Sequence, residues 1–227
     1  MQLSVIIPTL NEQRLIARQV EYTAGLPGIG EVVVADGGST DDTLRRVPTS
    51  ANVIKLSSAP GRAAQMNAGA KVAQGDVLLF LHADVTLPEN VGELVEQALE
   101  DQGSVGGAFV TWTVGDKASV ISPLLHLADL RSRYTTLPYG DQAIFVRRES
   151  FERLGGFPDQ PLMEDLEFSL RLGQLGRIRR VPVRVIVSGR RFINRPFFYA
   201  LLMNLFPLLY RWGVPPERLA QYYREIR

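Results

Sequence analysis

The sequence predicts an α/β fold, a mostly parallel sheet with helices on both faces. Two observations carry that prediction. Residues 32–35 and 77–81 are unbroken apolar runs, as expected of strands buried on both faces. Each is followed by a polar turn and then a helical pattern, the alternation that builds parallel sheets. The size agrees: 227 residues, 45% hydrophobic and 22% charged, describe a globular chain that can bury a large core.

The elements follow in order. Residues 3–7 form the first strand, stopped by Pro8, which cannot donate to a ladder. This strand follows Met1-Gln2 directly, with no basic leader and no cleavage site, and reads as the start of the mature fold. Asn11 and Glu12 open a helix through Leu15, Ile16 and Val20. The second strand ends at Asp36-Gly37-Gly38, and Ser39 or Thr40 can cap the next helix, with Asp41 and Asp42 in its first turn. A strand at 52–56, a helix at 62–73, a strand at 77–81 and a helix at 88–99 complete the first half. The second half is less regular. It reads as a strand at 106–112, a helix at 119–133, a strand at 141–147, a helix at 149–154 closed by Gly155-Gly156, a helix at 162–175 and a strand at 181–187.

There is no cysteine, which excludes disulfides, thiolate metal sites and a cysteine nucleophile. The net charge of +1 hides an asymmetry: residues 177–227 hold eleven Arg and two Glu, a net of +9. That tail fits an anionic partner or a solvated face balancing an acidic body. Residues 195–211 are almost wholly apolar between their arginines. They fall short of the roughly 20 residues a membrane span needs, and Asn204 and Pro207 interrupt them. Three readings stay open: a helix packed on the core, a peripheral membrane contact, or a homodimer contact through 196–212. The expected location is the cytoplasm, with the inner membrane face as the alternative. No nucleic-acid partner is expected.

Ligands of such sheets sit beyond the carboxyl ends of the strands, where several polar groups fall. Asp36 can accept hydrogen bonds from a base or ribose, or it can simply make a turn with its glycines. His82-Ala83-Asp84 ends an apolar strand. If extended, it puts His82 and Asp84 on one face, suited to a hard cation such as Mn²⁺ or Mg²⁺. Glu164-Asp165 opens a helix, as dipole partners or with Asp165 as a general base. Gly61-Arg62 begins a helix whose amides can hold an anion. Arg190 and Arg191 can clamp a diphosphate, or be solvated.

Taken together, these segments resemble the family 2 glycosyltransferases in order and spacing. They are residues 5–12 (Val-Ile-Ile-Pro-Thr-Leu-Asn-Glu), 34–43, Asn67-Ala68-Gly69, 75–84, Gly155-Gly156-Phe157 and Glu164-Asp165. The resemblance covers residues 3–190. It implies a GT-A fold, a UDP- or GDP-sugar donor, a divalent metal, inversion at the anomeric carbon, and a hydroxyl acceptor that is a small molecule or a lipid. It implies a catalytic domain over 1–190, nucleotide-binding over 1–100 and acceptor-binding over 101–190, with a helical extension over 191–227. It further implies that Pro8, Leu10, Glu12, Asp36, Gly61, Arg62, Asn67, His82, Ala83 and Asp84 bind the donor. Asp84 and His82 would hold the metal, and Asp165 beside Glu164 would be the base. Tyr134, Tyr139, Gly140, Asp141 and Gln142 would lie at the acceptor.

The sequence departs from the family pattern at His82, which replaces the usual first acid, and at Met66, where many relatives carry Arg. The Gln-x-x-Arg-Trp motif of polymer-forming members is absent. The Leu-His-Ala-Asp variant resembles a subgroup of short bacterial members, some linked to arsenosugar biosynthesis. Two rivals stand beside this reading. A nucleotidyltransferase would carry a glycine-rich loop with lysine near its N-terminus, where this chain has Pro8-Thr9-Leu10-Asn11-Glu12. An inactive sugar-nucleotide-binding or membrane-interaction protein would not need Asp84 and Asp165. No Gly-x-Gly-x-x-Gly follows the first strand, which argues against a dinucleotide oxidoreductase.

Overall fold

The computed structural model describes residues 1–115, 129, 137–192 and 196–226. The helix expected over 119–133 lies outside them except for Asp129, and Tyr134 lies outside them as well.

The first half is β1 Leu3–Thr9, α1 Ile16–Ala24, β2 Ile29–Asp36, α2 Thr43–Arg46, β3 Val53–Ser57, α3 Arg62–Val72, β4 Val77–Phe80, β5 Val85–Thr86 and α4 Val91–Ala98. The second half is β6 Ser104–Val114, β7 Phe145–Arg147, α5 Arg148–Arg153, α6 Glu164–Leu175, β8 Arg177–Ser188, α7 Pro196–Arg211 and α8 Pro216–Ile226. The described strands join in one sheet in the order β3-β2-β1-β4-β7-β6-β8-β5. β3, β2, β1 and β4 run parallel. β7 is antiparallel to both β4 and β6, so β6 and its parallel partner β8 share the direction of β1. The short β5 runs antiparallel to β8.

Alternation along the strands builds two cores. Leu3, Val5 and Ile7 of β1 face α1 and α4 through Ile16, Val20, Val91 and Val95. Ile6, Val33, Leu78 and Phe80 face α3, α5 and α6 through Ala63, Met66, Phe151, Phe168 and Leu172. The sheet is thus covered on both sides, as its apolar runs require. A third cluster joins α7 to α8 through Leu202, Phe206, Leu219 and Ala220, with Leu162 from the segment before α6.

Several boundaries differ from the sequence expectation. Pro8 lies inside β1, not after it. The carbonyl of Ile6 accepts from Leu81, so Pro8, two residues on, turns its missing N–H toward the same side. Pairing with β4 has already ended there at Ile6↔Phe80, and no ladder bond is lost. α1 starts at Ile16, because Asn11 takes a left-handed conformation (φ 56°) and residues 12–15 form a turn. Ser39 and Thr40 do not cap α2. The acid that would sit in its first turn, Asp41, instead precedes it and accepts from the Thr43 backbone, two residues on, at 3.0 Å. The strand expected over 141–147 shrinks to β7. Gly140–Gln142 forms a 3-10 turn, and Ala143 is left-handed (φ 49°). β8 begins four residues earlier than expected. It carries a bulge between its pairings with Phe109 and Val110, which accommodates Pro182.

Candidate active site

The shared direction of β1, β2, β4, β6 and β8 brings their carboxyl ends to one edge. Asp36 ends β2, and Glu12, His82, Asp84 and Arg190 follow their strands. Residues 139–142 precede the antiparallel β7, and Glu164 opens the helix leading into β8, so they reach the same edge.

The loops after β1 and β2 are tied together. Asn11 Oδ1 accepts from the Thr40 backbone at 2.9 Å, and the Asn11 backbone donates to Ser39 Oγ at 2.8 Å. The Glu12 backbone donates to Thr43 Oγ1 at 2.8 Å. Buried Asp36 accepts from the backbones of Gly38 (3.1 Å) and Ser39 (2.9 Å), while Ser39 Oγ donates to its other oxygen. Gly38 holds φ 90° in that turn, which favours glycine. Gln65, which the sequence reading passed over, donates from Nε2 to the carbonyls of Thr9 (2.6 Å) and Ala35 (3.0 Å). It fixes the ends of both strands from α3. Its only signal in the sequence was a polar residue on an alanine-rich helix. Pro8 is buried in β1 and Leu10 stands half-exposed just beyond it.

Glu12 and Asp84 meet at one cation. Arg190 Nη2 lies 2.5 Å from Glu12 Oε1 and 3.4 Å from Asp84 Oδ2. Hydrogen bonding to Glu12, with attraction from both acids, keeps this guanidinium firmly protonated against the cost of partial burial. Arg191 follows Arg190 in the 3-10 turn Gly189–Phe192, and its side chain lies outside the described ones.

The second acidic pair sits across the edge. Arg62 Nε pairs with Glu164 Oε1 at 2.7 Å. Glu164 is buried, and its Oε2 has no hydrogen-bond partner among the described residues. Burial pushes its carboxyl up, the Arg62 charge opposes this, and neighbouring Asp165 adds to the rise. Arg62 is in turn held protonated, chiefly by Glu164. Asp165 Oδ2 accepts from the Gly140 backbone at 2.6 Å and Oδ1 from the Leu166 backbone at 2.8 Å. Gly61, before α3, takes φ 123°.

Other expected site residues have structural partners. Asn67 uses both ends of its amide on Phe157, accepting from its N–H and donating to its carbonyl, each at 2.9 Å. This clips α3 to the Gly155-Gly156 turn. Ala83 packs in the core beside Val85. Tyr139 and Gln142 are buried, and Gln142 N–H closes a turn on the Tyr139 carbonyl at 3.0 Å, with Asp141 part-buried inside it. His82 and Asp84 do not lie on an extended segment. The Val85 N–H donates to the His82 carbonyl at 3.1 Å, closing a turn over residues 82–85. Among the described residues, no three His, Asp or Glu groups converge as a metal cluster.

The family model described as glycosyl transferase family 2 matches residues 4–155. The chain belongs to glycosyl transferase family 2. Its match takes in β1 to α5, and ends before Glu164, Asp165 and Arg190. Among curated relatives, the family 2 chain is 32% identical over 191 residues to the succinoglycan biosynthesis protein ExoA of Rhizobium meliloti, covering 76% of this chain and 58% of ExoA. This chain therefore spans little more than half of that relative's length. Solved structures share the fold. The structure of S. aureus TarS residues 1–349 with UDP-GlcNAc superposes at a TM-score of 0.65 with 20% identity, over 84% of this chain and 59% of that fragment. The mannosyltransferase PcManGT from Pyrobaculum calidifontis, solved with GDP-Man and Mn²⁺, also gives 0.65, with 22% identity over 95% of this chain and 66% of its own.

Proposed function

We propose that the protein is an inverting, metal-dependent glycosyltransferase that moves a sugar from a UDP- or GDP-sugar to a hydroxyl acceptor. The observation that carries this reading is the meeting of two different acidic pairs on one sheet edge. One pair already gathers a cation, and in the other a carboxylate stands beside a loop expected to meet the acceptor.

The donor lies over the β1, β2 and β4 loops, against Pro8, Leu10, Glu12 and Asp36, with its diphosphate toward Arg190 and the Gly61-Arg62 helix start. Glu12 and Asp84 stabilise positive charge at one point, and their oxygens suit Mn²⁺ or Mg²⁺ arriving with the diphosphate. Asp84 would hold that ion, which when bound neutralises charge on the leaving group. Mn²⁺ and the nucleotide sugars in the neighbouring structures support the same class of donor. Asp165 takes the proton of the acceptor hydroxyl as that oxygen attacks the anomeric carbon. The new carbon–oxygen bond forms as the bond to the diphosphate breaks, and the nucleoside diphosphate leaves with the electron pair. Arg190 adds fixed positive charge to it. Leu205, Leu208 and Trp212 leave one side of α7 and its end exposed, which supports a peripheral membrane or homodimer contact for the C-terminal extension. No described helix is long and apolar enough to cross a membrane.

The test is a panel of UDP- and GDP-sugars with Mn²⁺ or Mg²⁺, read by melting temperature and by release of nucleoside diphosphate. One donor should raise the melting temperature only with a metal, since binding to the folded state stabilises it. No shift and no release across the panel would refute the reading.

A further inference from the structure

We infer that His82 is a positioning residue of the acceptor side, holding the incoming oxygen against Asp165, and that the metal is left to Asp84. This rests on the proposed glycosyl transfer and refines one part of it. The two side chains of the His-x-Asp segment have different neighbours. Asp84 goes to Arg190, with Glu12 on the same guanidinium nitrogen. His82 goes to Gly140. A Cβ built on Gly140 would stand 2.9 Å from His82 Nε2 and 3.1 Å from Asp165 Oδ2. The imidazole and the base therefore both pack against Gly140, too closely for a side chain at that position.

The Gly140 backbone holds the base by donating to Asp165 Oδ2 at 2.6 Å. His82 brings a ring nitrogen able to hydrogen-bond an oxygen placed between the two side chains. Such an oxygen would face the base in the geometry that general-base catalysis needs, and orientation of this kind is lost steeply with small displacements. Water and an acceptor hydroxyl are alike in this respect, so the effect is readable in donor hydrolysis without knowing the acceptor.

The experiment compares wild type with His82→Ala, His82→Gln, Gly140→Ala and Asp84→Ala. It uses whichever UDP- or GDP-sugar the wild type hydrolyses. Mn²⁺ affinity in the presence of UDP or GDP is read from the free Mn²⁺ signal in electron paramagnetic resonance. His82→Ala should lower kcat for hydrolysis about tenfold or more, with donor KM and Mn²⁺ affinity changed less than about twofold. His82→Gln should recover part of kcat, because its amide can restore a hydrogen bond near the ring nitrogen. Gly140→Ala should resemble His82→Ala, while Asp84→Ala should lose Mn²⁺ affinity. Loss of Mn²⁺ affinity in His82→Ala equal to that in Asp84→Ala would overturn the assignment, as would an unchanged kcat. If wild type hydrolyses no nucleotide sugar, the parent reading fails; if it does and His82→Ala matches it, only this inference fails.

Discussion

Around Arg190, two carboxylates share one guanidinium nitrogen; around Arg62, only Glu164 pairs and Asp165 turns to backbone amides. The first group draws its members from the loops after β1, β4 and β8 and leaves its arginine about a third exposed. The second buries Glu164 almost completely behind the first turn of α6. The contrast separates two uses of acidic pairs. Where both acids hold one guanidinium, they are already gathered at the point proposed for the metal. Where the arginine pairs with only one acid, the other is left to the backbone amides of Gly140 and Leu166.

The largest effect should come from Asp165, the proposed base. Asp165→Asn removes the proton acceptor while its amide can still accept from Gly140 or Leu166. Transfer or donor hydrolysis should fall by about 10²- to 10⁴-fold, with donor affinity nearly unchanged in the thermal-shift panel. Ordinary turnover in this variant would erase the distinction between the two groups.

A second test strikes the neutralised acid. Arg62→Ala strands Glu164, and removing one partner of a buried pair costs about 3 kcal/mol or more; the partial exposure of Arg62 puts the expectation at about 2–3 kcal/mol near neutral pH. The pH dependence has a definite sign. Burial raises the Glu164 carboxyl above its ordinary 4.5, and the variant loses the one charge that opposed the rise. The contribution of such a group is present in full below its unfolded value and is lost as pH rises through the folded one. The deficit of Arg62→Ala should therefore shrink as pH falls from neutral toward 4.5, measured as urea midpoints against wild type. A deficit that does not vary with pH would mean that Glu164 is not the stranded group.

These two groups also mark how far the sequence could be read. β1 to β4 were legible because unbroken apolar runs ended at turn-forming Asp36-Gly37-Gly38 or at His82, a local pattern that tertiary contacts did not override. The family motifs placed Glu12, Asp84 and Asp165 near one edge because motif order follows strand order. What escaped was direction. The turn at 82–85 feeds β5, whose only partner among the described strands is β8, about a hundred residues on. Arg190 reaches Glu12 across 178 residues, and Asn67 reaches Phe157 across 90, distances at which a side chain's partner has no local signature. The 141–147 strand failed for a different reason: Ala143 in a left-handed conformation breaks it, which alanine does not announce.

The smallest predicted effect tests the Arg190 side of the contrast. Arg190 and a metal ion want the same oxygens, because Nη2 already contacts both Glu12 and Asp84. Arg190→Ala should let Mn²⁺ alone bind more tightly, while the nucleoside diphosphate loses a positive partner and binds more weakly. Each change should be about three- to tenfold, near 1 kcal/mol, because the pair is partly exposed and screened by solvent. Opposite shifts for ion and nucleotide are the signature of competition for one cation site. A parallel loss of both would mean that Arg190 only shapes the loop after β8, and the two arginines would then not differ in use.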